Sequence, residues 1–98
     1  MNSVFLPEAE EEFREAARYY EKEAPGLGLG FVTEVRKGVL FITENPYASA
    51  DVGKGVRRKI LKHFPYSLMY AVEPDLIVIV AVAHHKRRPR YWRGRLIE

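Results

Sequence analysis

The stretch YSLMYAVEPDLIVIVAVAH occupies residues 66–84 and contains two apolar runs on either side of Glu73-Pro74-Asp75. In the first run, apolar side chains recur at every second position from Tyr66 to Val72, which is typical of a β-strand. The second run, residues 76–83, is continuous and rich in β-branched residues, which predicts a strand covered on both faces. Because Pro and Asp favour tight turns, we expect the two strands to pair as an antiparallel hairpin.

A third strand and two helices precede this hairpin. Residues 56–64 predict a strand whose side chains divide between two faces: Arg58, Ile60, Lys62 and Phe64 on one, and Arg57, Lys59, Leu61 and His63 on the other. Apolar residues at three- and four-residue steps predict amphipathic helices over residues 7–23 and from Leu27 to Asn45-Pro46. Residues 1–6 are too few for a helix and predict an opening strand.

This order of elements predicts one α+β domain that spans residues 1–98. The chain has the order β-α-α-β-β-β, and two helices joined by a short loop form an antiparallel hairpin. Such a hairpin buries its apolar stripes against one face of a sheet. We therefore expect a helical hairpin packed on one face of an antiparallel sheet, with the other face of the sheet free.

Composition excludes several classes of protein. A chain of 98 residues is large enough for one core only. It contains no cysteine, which excludes disulfide frameworks and thiolate metal sites and fits a reducing compartment, so we expect a cytoplasmic protein. The longest apolar run, residues 76–83, is far shorter than the roughly 20 residues of a membrane span. Because the first residues lack a basic segment followed by a long apolar one, we expect no secretory signal. We expect a soluble protein without a membrane partner.

Charge is distributed unevenly along the chain. Residues 1–53 hold five basic and ten acidic residues, a net charge of −5, whereas residues 54–98 hold eleven basic and three acidic residues, a net charge of +8. Such polarity attracts polyanions or an acidic protein partner. The strongest concentration is at the C-terminus, where six of the ten residues in 86–95 are Lys or Arg.

Arginine, tyrosine and tryptophan together suit the recognition of a phosphate backbone. Guanidinium groups bind phosphate oxygens bidentately, and aromatic rings stack on unpaired bases. The candidate target-binding residues are Arg57, Lys59, Arg88, Arg90, Trp92 and Arg95. Two alternatives stay open for Trp92, which either packs beneath the fold or stacks on a base.

His84 stands at the end of the buried strand, where a rigid backbone suits a general acid or base, and a structural histidine without a catalytic role is the open alternative. His85 follows it directly and is expected to point to the opposite face, so the two histidines do not chelate one metal. We expect neither a metal site nor a cofactor.

Several segments together give the chain a resemblance to a known superfamily. They are Leu6-Pro7-Glu8-Ala9, Tyr20-Glu21, Gly26-Leu27-Gly28, Phe31, Glu34-Val35, Asn45-Pro46, Val56-Arg57-Arg58, Phe64-Pro65-Tyr66, Tyr70, and His84 with Arg87, Pro89 and Trp92. In this order and spacing they resemble the RelE/ParE toxins of bacterial type II toxin-antitoxin systems, and the likeness covers nearly the whole chain. It implies the same fold that the periodicity predicts.

The resemblance implies growth arrest by one of two routes. RelE-like toxins cleave mRNA on the ribosome without a metal, and ParE-like toxins inhibit DNA gyrase. For the first route the catalytic candidates are Arg58, Lys62, His84, Arg87 and Tyr91, where arginine binds phosphate, lysine stabilises the transition state and tyrosine transfers a proton. Both routes imply an acidic antitoxin as partner, with the toxin as a monomer or dimer in the complex.

The resemblance implies mRNA cleavage as the leading function and gyrase inhibition as its alternative, the charge alone suggests a third, and the question of catalysis stays open. The basic, aromatic C-terminus favours mRNA cleavage at the ribosome. An incomplete match to the lysine pairing of RelE-like nucleases, together with the segment from His84 to Trp92, favours a gyrase inhibitor that does not catalyse a reaction. The uneven charge alone is also compatible with a plain nucleic-acid-binding module.

Overall fold

The computed structural model describes residues 1–96 and contains four strands, two α-helices and one 3₁₀ helix. The elements are β1 (Asn2–Phe5), α1 (Pro7–Glu23), α2 (Leu27–Glu44), β2 (Val56–Ile60), β3 (Tyr66–Glu73), β4 (Leu76–His84) and the 3₁₀ helix Arg93–Arg95. The predicted order β-α-α-β-β-β is confirmed. Within the described residues, neither α-helix combines the length and apolar character that a membrane span requires.

The four strands form one mixed sheet in the order β1-β4-β3-β2. Strands β2, β3 and β4 are antiparallel neighbours, as predicted. Strand β1 differs, because it runs parallel to β4 with Asn2 opposite Leu76 and Phe5 opposite Ile79. The helices and residues 45–55 separate β1 from the rest of the sheet, so tertiary packing and not a tight turn sets its direction.

The helical hairpin is closed by a tight turn between α1 and α2. Gly26 has a φ of 87°, in the left-handed region that glycine tolerates best. The Glu21 carboxylate accepts hydrogen bonds of 3.0 Å from the backbone N–H groups of Gly26 and Gly28, at the helix end where a negative charge is favourable. A Cβ at position 28 would lie 2.6 Å from the Ala17 carbonyl oxygen. Only glycine allows the two helices to approach so closely here.

The helices cover one face of the sheet with an apolar core. Phe31 of α2 is fully buried together with Tyr70 of β3 and Ile79 of β4. The Phe31 ring centroid lies 5.1 Å from those of both Phe64 and Tyr66, in edge-to-face geometry. This packing holds β3 and β4 rigidly, so the residues at their ends have well-defined positions.

The C-terminal segment, defined here as residues 85–96, covers part of the other face of the sheet. Trp92 is 6% exposed and packs in an apolar cluster with Val56, Met69 and Val80. The expectation of a free face is therefore wrong, because a strand that is apolar on both sides needs cover on both sides. The packing alternative for Trp92 is the one that the structure adopts.

Strand β2 ends at Ile60, earlier than the sequence pattern predicts. The Glu34 carboxylate of α2 accepts a hydrogen bond of 2.7 Å from the His63 backbone N–H and lies 2.8 Å from His63 Nδ1. These contacts bind the loop after β2 to α2, so Lys62 lies beside that helix. The predicted placement of Lys62 on the same face as Arg58 is therefore wrong.

Candidate functional site

A cationic cleft of about 280 Å³ opens where the C-terminal segment crosses β2, β3 and β4. We call it the arginine cleft, and its polar lining residues are Arg58, Ser67, His84, His85, Arg87, Arg88, Arg90 and Tyr91. No acidic side chain lines it among the described residues. Two separate parts of the sequence, β2 and the C-terminal segment, thus contribute arginines to one site.

Ser67 links Arg58 and His85 at the base of the cleft. This residue is only 2% exposed. Its Oγ accepts a hydrogen bond of 3.1 Å from Arg58 Nε and lies 3.0 Å from His85 Nε2. Because a hydroxyl can both donate and accept, Ser67 can bond to Arg58 and His85 at the same time. Arg58 is thereby held through Nε, and its two Nη groups have no hydrogen-bond partner within residues 1–96.

The remaining arginines are positioned by the turn that follows β4. The Arg87 guanidinium carbon lies 3.9 Å from the centroid of the Tyr91 ring, which is a cation–π contact. The Tyr91 backbone N–H donates to the Arg88 carbonyl oxygen across 3.2 Å. Arg90 has a φ of 61°, which is uncommon for a residue other than glycine. This tight turn brings Arg88 and Arg90 to the cleft that Arg58 lines.

Glu12 of α1 anchors the C-terminal segment to the rest of the fold. Its carboxylate forms a bidentate ion pair with Arg95, with Nη2 to Oε2 at 2.7 Å and Nη1 to Oε1 at 3.0 Å. It also accepts hydrogen bonds from the Val82 backbone N–H and the Tyr91 hydroxyl. Arg95 Nη1 in turn donates to the Val80 carbonyl oxygen. Glu12 and Arg95 thus provide hydrogen-bond partners for the β4 backbone at Val80 and Val82, beyond the point where β1 stops pairing with it.

The environment of Tyr91 argues against its predicted role in proton transfer. Burial and, after it, the hydrogen bond to Glu12 raise the pKa of Tyr91 far above its ordinary value. The phenol therefore keeps its proton and donates a hydrogen bond to Glu12. The same carboxylate raises the pKa of Arg95, so that guanidinium is a fixed charge engaged inside the fold. Both side chains hold the segment in place.

A second cationic surface lies on the helix side of β2. It is an open groove of about 880 Å³ between α2 and β2, which we call the basic groove. The charged residues along it are Glu34, Lys37, Lys59 and Lys62, with His63 at one end. Exposed apolar side chains also line it: Leu29 is 69% exposed and Ile60 is 53% exposed. The groove therefore combines positive charge with apolar surface.

Three other predicted residues, Lys59, Arg57 and His84, make further contacts. Lys59 Nζ is 4.5 Å from the Phe41 ring centroid in the basic groove. Arg57 donates a hydrogen bond of 2.7 Å to the Ser49 carbonyl oxygen, which fixes it to the loop after α2. His84 Nδ1 accepts a hydrogen bond from the Lys86 backbone N–H at 3.0 Å. The structure brings together Arg58, His84, Arg87, Arg88, Arg90 and Tyr91 at the arginine cleft, where the buried Trp92 ring is part of the apolar lining. It leaves Arg57, Lys59, Lys62 and Arg95 outside the cleft.

Three important residues were not among the sequence candidates. Glu12 is one of several glutamates in α1, and nothing local distinguishes it from its exposed neighbours. Ser67 and His85 become neighbours only when β3 pairs with β4, where Ser67 lies opposite Ala83. The alternation of β3, which places Ser67 on the face opposite Tyr66 and Leu68, is the signal that points toward it. Within residues 1–96 no group of three or more His, Cys, Asp or Glu side chains is arranged to hold a metal ion.

The chain is similar to toxin proteins both in sequence pattern and in fold. Residues 4–89 match the family model for the ParE toxin of the type II toxin-antitoxin system parDE. A solved structure of the chromosomal ParDE TA system from P. aeruginosa matches with a TM-score of 0.75 and 19% sequence identity, over 86% of this chain and 95% of that chain. No curated protein matches the sequence. A solved structure with the same fold thus confirms the predicted α+β fold.

Proposed function

The chain belongs to the ParE toxin family of type II toxin-antitoxin systems, and from this premise we propose that it arrests growth in the cytoplasm by inhibiting DNA gyrase without cleaving RNA. The observation that carries the proposal is the separation of the groups that RNA cleavage would need. Arg58 and Arg87 line the arginine cleft, whereas Lys62 lines the basic groove. Tyr91 donates its hydroxyl proton to Glu12.

Metal-independent RNA cleavage makes strict demands on one phosphate group. A base must take the proton of the 2′-hydroxyl, an acid must protonate the leaving oxygen, and cations must stabilise the charge that develops. A lysine on the helix side of β2 cannot stabilise charge in a cleft on the opposite face. A tyrosine whose pKa is raised stays protonated and is therefore a poor base, and the Tyr91 hydroxyl is already engaged in a hydrogen bond to Glu12. These positions support an inhibitor that acts by binding.

A DNA supercoiling assay with purified gyrase tests the proposal. We expect the protein to inhibit supercoiling or to trap cleaved DNA, and expect its antitoxin, added beforehand, to abolish the effect. Toeprinting on ribosomes stalled with an open A site is the parallel experiment, and we expect no new mRNA ends. If expression of the protein arrests growth in cells but the purified protein leaves supercoiling normal at saturating concentration, the gyrase proposal is contradicted.

One observation favours mRNA cleavage as the second candidate. His85 reaches Ser67 beside Arg58, so a titratable imidazole does stand next to the phosphate-binding side chains. If this candidate is correct, toeprinting shows an A-site cut that disappears in both His85→Ala and Arg87→Ala. A cut that survives in His85→Ala would remove the imidazole from the mechanism.

The antitoxin is the partner that the family implies, and we propose the basic groove as its seat. Lys37, Lys59 and Lys62 suit an acidic segment, while exposed Leu29 and Ile60 suit its apolar side chains. Strand β2 is also an edge strand of the sheet. Residues 50–52 cover its backbone only from Val56 to Arg58, which leaves the part near Ile60 open to a partner.

Charge reversal tests this seat. The double variant Lys59→Glu with Lys62→Glu is expected to weaken antitoxin binding by at least about tenfold, because like charges then face each other. The double variant Arg18→Glu with Lys22→Glu makes the same change of net charge on an exposed part of α1 outside the groove and serves as the control. The two proteins and the wild type are compared by calorimetric titration with the antitoxin encoded beside the toxin. Equal losses in the groove and control variants would argue against the groove.

A further inference from the structure

The arginine cleft carries more positive charge than the structure neutralises. The three ion pairs found among residues 1–96 join Arg14 to Glu10, His63 to Glu34 and Arg95 to Glu12. None of them involves Arg58, Arg87, Arg88 or Arg90. Four guanidinium groups at one small cleft repel each other, and they are not held there by carboxylates. An anion that enters the cleft would relieve this repulsion.

We propose that the arginine cleft binds a phosphodiester group of a nucleic-acid backbone. The proposal rests on the gyrase assignment, because the DNA that gyrase holds would supply the phosphate. It adds to that assignment the chemical group that the cleft binds. The same chemistry would be met on an RNA strand. The ligand is therefore defined by its phosphate, and the experiment below separates the two sources.

Preorganised donors are the first argument for a phosphate. Arg58 is fixed through Nε by buried Ser67, which leaves the Nη1 and Nη2 groups for a ligand. Arg87 is fixed by stacking on Tyr91, which occupies the face of the guanidinium and leaves its edge. A guanidinium edge matches two phosphate oxygens bidentately. Donors that are already ordered lose less entropy when the ligand binds.

The aromatic residues argue for the backbone and against the bases. Trp92 is buried in the sheet and presents no free ring face for stacking. The Tyr91 ring is in contact with the guanidinium groups of Arg87 and Arg95, at 3.9 and 5.0 Å. Recognition of single-stranded bases needs open aromatic faces. The cleft instead offers charged donors, so we expect binding with little dependence on base sequence.

Fluorescence anisotropy with labelled oligonucleotides tests the site in the absence of gyrase and ribosomes. The probes are a short duplex DNA and a single-stranded RNA of equal length, each titrated at several salt concentrations. Arg58→Gln and Arg87→Gln are expected to weaken binding about tenfold and to lower the salt slope by about 1. Arg36→Gln removes one exposed arginine from α2, away from the cleft, and is expected to change affinity by less than about twofold.

The outcomes show whether the arginine cleft binds phosphate and whether DNA or RNA supplies it, and both answers are independent of the gyrase assignment. Selective weakening in the cleft variants supports the proposal, and the tighter probe identifies DNA or RNA as the source. Equal weakening by Arg36→Gln, or no binding to either probe at low salt, would overturn it. Because no gyrase is present, neither result depends on the cellular target.

A second measurement does not require any variant to fold. Wild-type protein is titrated with sodium phosphate and, at the same ionic strength, with sodium chloride, while backbone amide signals are followed by NMR. We expect phosphate to shift the signals of Ser67, His85 and Arg87 more than chloride does. Equal shifts with the two salts would contradict a phosphate site.

Discussion

The Glu12 carboxylate is the main anchor of the C-terminal segment, and we predict that Glu12→Ala destabilises the domain strongly. The substitution removes the acceptor for the Tyr91 hydroxyl, for both Nη groups of Arg95 and for the Val82 backbone N–H. Arg95 then remains as a largely buried charge without its partner. The Val82 backbone N–H of β4 loses its acceptor, and only the hydrogen bond from Arg95 to the Val80 carbonyl oxygen is left at this edge.

The magnitude follows from the burial of the pair. Both side chains are only 15% exposed and the shortest contact is 2.7 Å. Loss of one partner of a buried ion pair costs about 3–5 kcal/mol, and the partial exposure here places the loss near the lower end, at about 3 kcal/mol. In a domain of this size each kcal/mol lowers Tm by about 4–8 °C. We therefore expect Glu12→Ala to lower Tm by roughly 15 °C.

Thermal unfolding and tryptophan fluorescence provide the assay. Trp92 is the only tryptophan, so a red shift of its emission would report release of the segment from the sheet. Glu10→Ala is the matched control: its pair with Arg14 is 60% and 50% exposed, and we expect a loss below about 1 kcal/mol. Equal falls in Tm for the two variants, or an unchanged emission spectrum in Glu12→Ala, would refute the reasoning.

Two further predictions concern the helical hairpin and the loop after β2. Gly28→Ala should lower the free energy of unfolding by about 1–3 kcal/mol, because its Cβ would lie 2.6 Å from the Ala17 carbonyl oxygen. Gly30→Ala should be neutral or slightly stabilising, because its Cβ would meet only Phe64 Cζ at 4.0 Å. Urea unfolding of both variants tests this, and equal midpoints would contradict it. Desolvation raises the pKa of Glu34, but the hydrogen bonds from His63 prevail and hold it below the ordinary value of 4.5. A lowered pKa stabilises the fold above pH 4.5 and this contribution is lost as the pH falls through the folded-state value, so the stability advantage of wild type over Glu34→Gln should shrink in acid. An advantage that stays constant between neutral pH and pH 3 in urea titrations would contradict the assignment.

Local patterns predict the helices and the β3–β4 hairpin well. Helix α1 begins at Pro7, and Glu73-Pro74-Asp75 gives the expected turn. The direction of β1 and the cover over the second face of the sheet depend on contacts between distant parts of the chain, which no local pattern encodes. The early end of β2 depends likewise on Glu34 from another element.

The candidate site could be predicted only in part for the same reason. The arginines stand out in the sequence because of their number, and Arg58 and the arginines at 87–90 do meet in one cleft. Lys62 is also basic but does not lie in that cleft. It follows the end of β2 by two residues, which is enough to carry it to the other side of the strand. Ser67 and Glu12 carry no such compositional signal, and only their hydrogen bonds reveal their importance.

The pairing of β1 with β4 and of Glu12 with Arg95 has a consequence for how the toxin is made. Ribosomes release the N-terminus first, so α1 and β1 emerge without the partners that stabilise them. Contacts between residues so distant in sequence form late in folding. The arginine cleft is therefore completed only after residues 85–96 have been synthesised and have packed on the sheet, so a nascent chain that stops before this segment lacks the cleft.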